Sequence, residues 1–315
     1  MRLLIAAVLL ILLWAILALT VAHLIAPSSG NDPLGAEPPE AKPVVCVVNY
    51  PLEYFARRIV KDRATIEFPA PRAVDPAYWK PDQEAIWSFQ EADLVLLNGA
   101  DYAEWIDEAM LLEEKTSRTS EPFQNQYLKM DVVGKSPGGK NMPSSQPPWD
   151  GHTWLDPQLA VIQARAVRQA LRRLVPEHGE EFDRNYESLE RDLQALDASI
   201  KEVSSNYIDQ PLLAAQPVYP YLARRCGWNM KSLDWKPDQV PDAHQWQMLA
   251  DLLKDHPAKW ILWVAPPKQE TIDRLKLLDV KCVVFDICAN VPKEGDYLSI
   301  MHENIQRLKP IFKTF

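Results

Sequence analysis

Four short stretches hold the side chains of this 315-residue chain that are best placed to do chemistry: DPAYWKPD (75–82), DGHTWLDP (150–157), AAQPVYPY (214–221) and VVFDICAN (283–290). They fall in loops where predicted strands end, the place where ligands sit in parallel α/β sheets. Imidazole and carboxylate are strong metal ligands, and a neutral amide oxygen is a weak one. The motifs of common enzyme classes are missing: there is no GxSxG, no HExxH and no glycine loop to cradle a phosphate, in a chain with ten glycines. An enzyme is the least favoured class. A lone histidine after a loop is ordinarily a hydrogen-bonded structural residue, and Asp286 at a strand end would equally well cap the following turn. His178, His244, His256 and His302 lie on predicted helices or their ends with no partner spacing, and read as surface residues.

The elements that must position these stretches come in two similar sets. WKPDQ occurs at 79–83 and again at 235–239, preceded by EYFARRIV (53–60) and PYLARRCG (220–227) respectively. Each set reads as a Tyr-x-Ala-Arg-Arg helix, a WKPDQ loop, a second helix and an apolar strand. Two related lobes explain this better than a solenoid, which needs at least three units. Strands are predicted at 44–50, 64–70, 93–99 and 127–133, then at 211–217, 229–233, 259–265 and 280–286, with helical stretches such as 82–91 and 102–113 between them. Continuous apolar runs such as VVCVVNY mark strands buried on both faces, and alternation with helices implies parallel sheets. Residues 156–204 contain no strand pattern; Leu189, Leu193, Leu196 and Ile200 recur at helical spacing, and a single helix over 177–204 would join the lobes. The fold class is therefore α/β: two similar parallel-sheet lobes joined by one long helix, with a transmembrane or signal helix at the N-terminus.

That N-terminal helix covers 3–22, an uncharged run long enough to span a bilayer core. It reads as an uncleaved anchor in preference to a cleaved signal, with the body exported in either case. The division expected is 1–26 signal anchor or signal peptide, 27–43 extended tether rich in Pro, Gly and Ser, 44–176 first lobe, 177–208 linking helix and 209–315 second lobe. Lys plus Arg total 34 against 43 Asp plus Glu, a net charge of −9, which argues against a nucleic-acid partner. The four cysteines (Cys46, Cys226, Cys282, Cys288) form no CxxC pair. One disulfide, Cys226 with Cys282 or Cys288, and buried free thiols are both open readings.

The stretch Asp150-Gly151-His152-Thr153-Trp154-Leu155-Asp156-Pro157 is similar to the Asp-Pro-His-x-Trp-Leu-Asp-Pro pattern of the periplasmic metal-binding proteins of zinc and manganese ABC importers. From about 44 to 313 the chain resembles that family, with Asp286 in VVFD, Asn185-Tyr186 in the long helix and DYLSIMHENIQRL (296–308) adding to the likeness. The resemblance implies a metal held between the lobes by four side chains, which fall here on Ala77, His152, Gln216 and Asp286. Ala77 stands where the family has a histidine, and alanine coordinates nothing. Gln216 stands where it has His or Glu. The loop 135–151 also lacks the histidine-rich insertion of some zinc-binding relatives.

The leading expectation is thus the solute-binding component of a metal-type ABC importer. It would capture a divalent metal ion, zinc in preference to manganese, with a partly degenerate site of His152, Asp286 and Gln216, for delivery to permease and ATPase subunits. Its place would be periplasmic or extracytoplasmic, tethered to the cytoplasmic membrane. The alternatives are the same fold binding an organic ligand or metal chelate, or an adhesin or scaffold that has lost solute binding. Ala77, Trp79 and Trp235 are expected to line the cleft. The two tryptophans would face each other there, or else WKPDQ is simply a device for opening helices.

Overall fold

The computed structural model describes residues 41–72, 74–133, 149–205 and 209–312. The apolar N-terminal stretch, nearly all of the tether and most of the 135–151 loop lie outside the described residues. Among the described residues no helix is long and apolar enough to cross a membrane.

The first sheet is built from β1 (Val44–Val47), β2 (Thr65–Glu67), β3 (Leu94–Leu97) and β4 (Thr116–Arg118), all parallel, in the order β2-β1-β3-β4. The second has β5 (Pro211–Ala214), β6 (Asn229–Ser232), β7 (Trp260–Trp263) and β8 (Lys281–Val284), also parallel, in the order β6-β5-β7-β8. The order is the same in both, as a repeated unit requires. The fourth strand of the first lobe is not where the apolar pattern puts it. Thr116–Arg118 pairs with β3, whereas 127–133 crosses to the other lobe: Leu128 N–H donates to the Tyr221 hydroxyl at 3.1 Å and Val133 N–H to the Ser232 carbonyl at 2.9 Å. A three-residue edge strand needs no apolar run, so pattern reading passes it over.

Helix α1 (Tyr50–Val60) opens on Asn49, whose side chain accepts from Leu52 N–H, with Pro51 in the first turn. Helix α2 (Gln83–Glu91) opens on Asp82, and α3 (Pro157–Leu174) on Asp156. The stretch 102–113, expected as a helix, contains only the 3-10 turn Glu104–Glu108 and the start of a second, Glu113–Lys115. Helix α4 (Gly179–Ser204) has 26 residues, so it runs roughly 39 Å at 1.5 Å per residue. Its buried side chains, Phe182, Tyr186, Leu189, Leu193, Leu196 and Ile200, alternate at spacings of four and three. One stripe therefore packs against α1 and α3 of the first lobe and against α8 (Tyr297–Leu308) of the second. The second lobe is completed by α5 (Pro220–Cys226), α6 (Ala243–Asp255) and α7 (Gln269–Leu277). A single apolar core runs through the first lobe, α4 and one side of the second sheet, and a separate cluster fills that sheet's outer side.

The two WKPDQ copies do different work. In the first, Asp82 caps α2 through Ala85 N–H at 2.9 Å, and the Trp79 ring stands edge-on to Trp105 at 5.6 Å. In the second, the five residues form a turn, and α6 opens later, on Asp242, in a capping box with Gln245. Trp235 is 3% exposed and packed between Trp246, edge-on at 4.9 Å, and Trp263, tilted at 6.2 Å. Each tryptophan packs inside its own lobe, so they do not face each other across a cleft. All four cysteines are free thiols; Cys46, Cys226 and Cys288 are buried. His256 is not a surface residue. It is 5% exposed, and its Nε2 lies 2.8 Å from the Leu212 carbonyl.

Candidate functional site

The carboxyl ends of β1 and β3 each finish in an asparagine, Asn49 and Asn98, and both side chains are buried. Asn49 Nδ2 donates to Asn98 Oδ1 at 3.1 Å, and Asn98 Nδ2 donates to the Gly151 carbonyl at 2.8 Å. Gln163 of α3 completes the frame, donating to Asn98 Oδ1 (3.2 Å) and Thr119 Oγ1 (3.1 Å) and accepting from Thr153 Oγ1 (3.0 Å). Buried amides of this kind are fully used, and a satisfied network fixes one geometry. What it fixes is the turn carrying His152.

His152 is 3% exposed. Its backbone N–H donates to Asp150 Oδ1 at 2.8 Å, and its Nδ1 lies 3.2 Å from the same oxygen. Its Nε2 is buried with no partner. Burial disfavours charge on the ring, but the Asp150 carboxylate, with Asp75 further off, outweighs it and lifts the imidazole above its ordinary value of 6.5. A carboxylate on Nδ1 with Nε2 left open is the arrangement that prepares a histidine for a metal, because it selects the tautomer and aims the lone pair.

Ala77 and His152 line one cavity of about 20 Å³, together with Tyr78, Asp101, Tyr102, Met130 and the backbone turn at Gly151. That is room for one water. Tyr102 is buried, its hydroxyl lacks a partner, and burial, then Asp75 and Tyr78, push its phenol well above 10. Asp286 faces elsewhere. It lines a groove of about 610 Å³ with Trp260 and Arg307, and its Oδ1 accepts from Cys288 N–H at 2.7 Å. Burial raises its carboxyl, against the Cys288 N–H and Arg307, which lower it. Gln216, after β5, lines neither space, and its Oε1 is buried without a partner. The structure thus brings His152 and Ala77 together and leaves Asp286 and Gln216 outside that cavity. Among the described residues no three His, Cys, Asp or Glu side chains are grouped to hold one metal ion.

Three bonds tie the lobes beside this turn. Trp154 Nε1 donates to the Ile287 carbonyl (2.7 Å), the Tyr297 hydroxyl to the Trp154 carbonyl (2.9 Å), and Tyr50 N–H to the Ala289 carbonyl (3.0 Å). Asn98, Gln163 and Tyr102 went unnoticed in the sequence. The first had a signal, since it ends the run LVLLN at a strand terminus.

The pattern of the family described as zinc-uptake complex component A, periplasmic, matches residues 45–310. The chain belongs to this family. It is a family of transport components, not an enzyme class. The high-affinity zinc uptake system protein ZnuA of Bacillus subtilis is 24% identical over 272 residues, which cover 82% of this chain and 84% of that one. The zinc-binding lipoprotein AdcA of Streptococcus pneumoniae is 23% identical over 276 residues, but the match spans only 54% of its length. The crystal structure of Zn(II)-bound AdcA matches with a TM-score of 0.74 at 21% identity, over 86% of this chain and 58% of that one. A crystal structure of ZnuA gives 0.70 at 18% identity, over 86% and 100%. At such identities the structures establish the zinc-uptake component's fold, two parallel-sheet lobes on a common helix.

Proposed function

We propose that this zinc-uptake family member is the solute-binding component of an ABC importer, receiving a divalent metal ion at His152 and delivering it to permease and ATPase subunits from an extracytoplasmic position. Zinc is the expected cargo in preference to manganese, because imidazole suits zinc and, among the described residues, no carboxylates are grouped with His152 to hold an ion. The observation that carries the reading is the buried, unpartnered His152 Nε2 with Asp150 behind it. Gln216 is the proposed weak ligand from the second lobe. Asp286 joins only if its strand-end turn releases Cys288 N–H and swings out of the Arg307 groove. Such a set holds zinc less tightly than four protein ligands.

The test is the metal content and calorimetric zinc titration of the purified full-length protein, stripped with a chelator. Saturable binding of one zinc, weaker for manganese, supports the reading. Failure to bind either ion transfers support to the organic-ligand or scaffold alternatives. Delivery is tested separately, by restoring zinc-limited growth to a bacterium deprived of its own zinc-binding component but carrying the permease and ATPase genes that accompany this chain.

A further inference from the structure

Beyond β8 the chain leaves the second sheet as a strap, 286–290, laid against the first lobe. Its root is buried: Ile287, Cys288 and Ala289 are all covered, and the carbonyls of Ile287 and Ala289 accept the bonds from Trp154 and Tyr50. Cys288 holds a left-handed φ of 54°, a costly setting for a residue with a Cβ. The strap is therefore kept in place by its contacts and not by its own backbone preference. Its tip is different. Asn290 is half-buried, and its Nδ2 uses both hydrogens on the first lobe, at the Pro71 carbonyl (2.7 Å) and the Val74 carbonyl (2.7 Å), in bonds open to water. Its Oδ1 accepts from Val291 N–H at 2.7 Å, which orients the amide for donation.

What Asn290 holds is the turn 74–78. Val74 N–H donates to the Pro71 carbonyl (3.1 Å), Ala77 N–H to Asp75 Oδ1 (3.0 Å) and Tyr78 N–H to the Asp75 carbonyl (3.1 Å). Such local bonds let the turn move as one piece. Ala77 and Tyr78 form one wall of the cavity at His152. His152 is 3% exposed and its Nε2 is buried, so nothing reaches that nitrogen until a wall moves. The facing walls are fixed: Tyr102 and Ala103 belong to the apolar core, and the Gly151 carbonyl is held by Asn98 Nδ2. The turn lies on the surface, with Tyr78 61% exposed, and bonds that water can replace are weak in net terms.

We propose that Asn290 is a latch. While its two bonds hold, the 74–78 turn covers His152; when they part, the turn lifts and solvent reaches Nε2. Water-exposed bonds open and close without unfolding either lobe, so a strap of the second lobe governs access to a histidine of the first. That the entrant is a metal ion rests on the reading of His152 as a ligand; the gating does not.

Access is read on the metal-free, full-length protein with diethyl pyrocarbonate, which carbethoxylates imidazoles that solvent reaches, scored residue by residue by mass spectrometry beside amide exchange. Asn290→Ala removes the latch. Asn290→Asp keeps its shape but has no N–H, and sets a carboxylate against two carbonyl oxygens. Both are expected to label His152 about tenfold faster than wild type, the worth of about one net hydrogen bond, with faster exchange of the Val74, Ala77 and Tyr78 amides. Labelling of His244 and His302, both exposed, and exchange within α3 should keep their wild-type rates. Unchanged His152 labelling in the two variants overturns the proposal. So does a rise matched by equal acceleration within α3, which marks general loosening of the lobe. Stopped-flow zinc uptake, run alongside, is expected to quicken in the same variants. If wild type binds no zinc, the ion reading fails while the labelling still decides the latch.

Discussion

At the scale of single residues, the role proposed for His152 links proton and metal. Burial opposes its charge, Asp150 and Asp75 favour it, and the balance raises its folded value above the ordinary 6.5. A histidine raised on folding stabilises the metal-free protein fully below pH 6.5, and this contribution is lost as pH rises through the folded value. On the proposed reading zinc competes with the proton on Nε2, so its binding should strengthen over the same window. Opposite trends are expected: metal-free Tm declining and zinc affinity climbing as pH rises past 6.5. His152→Gln should flatten both, as read by thermal unfolding and zinc titration across that range; parallel trends would show that another group dominates. The buried turn that carries His152 was legible because its eight-residue motif is specific. The place of Tyr102 was not, because its closeness to Gly151 and the left-handed backbone at Ala100 and Asp101 are announced by none of these residue types.

At the scale of elements, the caps decide where helices begin. Asp156 is buried, caps α3 through Gln158 N–H at 3.0 Å and lies 3.6 Å from Arg224 and 3.8 Å from Arg225. Asp156→Ala is expected to cost about 1–2 kcal/mol for the cap, with Asp156→Asn recovering most of it, as read from the denaturant midpoint. Equal losses in the two variants would place the effect in the contacts with Arg224 and Arg225 instead. Gly99 is a second fixed point: at φ 81°, its added Cβ would meet Ser120 Oγ at 2.3 Å. Gly99→Ala is expected to destabilise by roughly 1 kcal/mol or more, and an unchanged Tm would contradict that. The repeated WKPDQ shows how local sequence misleads. The second copy is followed by Val240, Pro241 and Asp242, a second Pro-Asp pair that takes over the cap, so identical residues end in a turn.

At the scale of the whole molecule, seven of the eight strands among the described residues and the joining helix were legible: β1, β3, β5 and β7 are buried along most of their length and read as apolar runs, the outer strands follow from the repeat, and α4 needs one apolar stripe. The short β4 and the crossing of 127–133 to the second lobe were not, since both depend on tertiary partners. Trp154, fully buried, ties the lobes through its Nε1–H bond to the Ile287 carbonyl. Trp154→Phe strands the Ile287 carbonyl and is expected to cost roughly 1–3 kcal/mol, seen as a lower Tm with faster amide exchange at 285–289. Exchange confined to the first lobe would contradict that placement. The central claim, a metal site with one strong ligand and one vacant corner, is tested most directly by calorimetric zinc titration of full-length wild type, His152→Ala and Ala77→His. Removing the partners behind a metal ligand costs about 10–100-fold. His152→Ala, which removes the ligand itself, is expected to lose at least that much, while Ala77→His should bind more tightly than wild type. Wild-type affinity in His152→Ala would contradict the account.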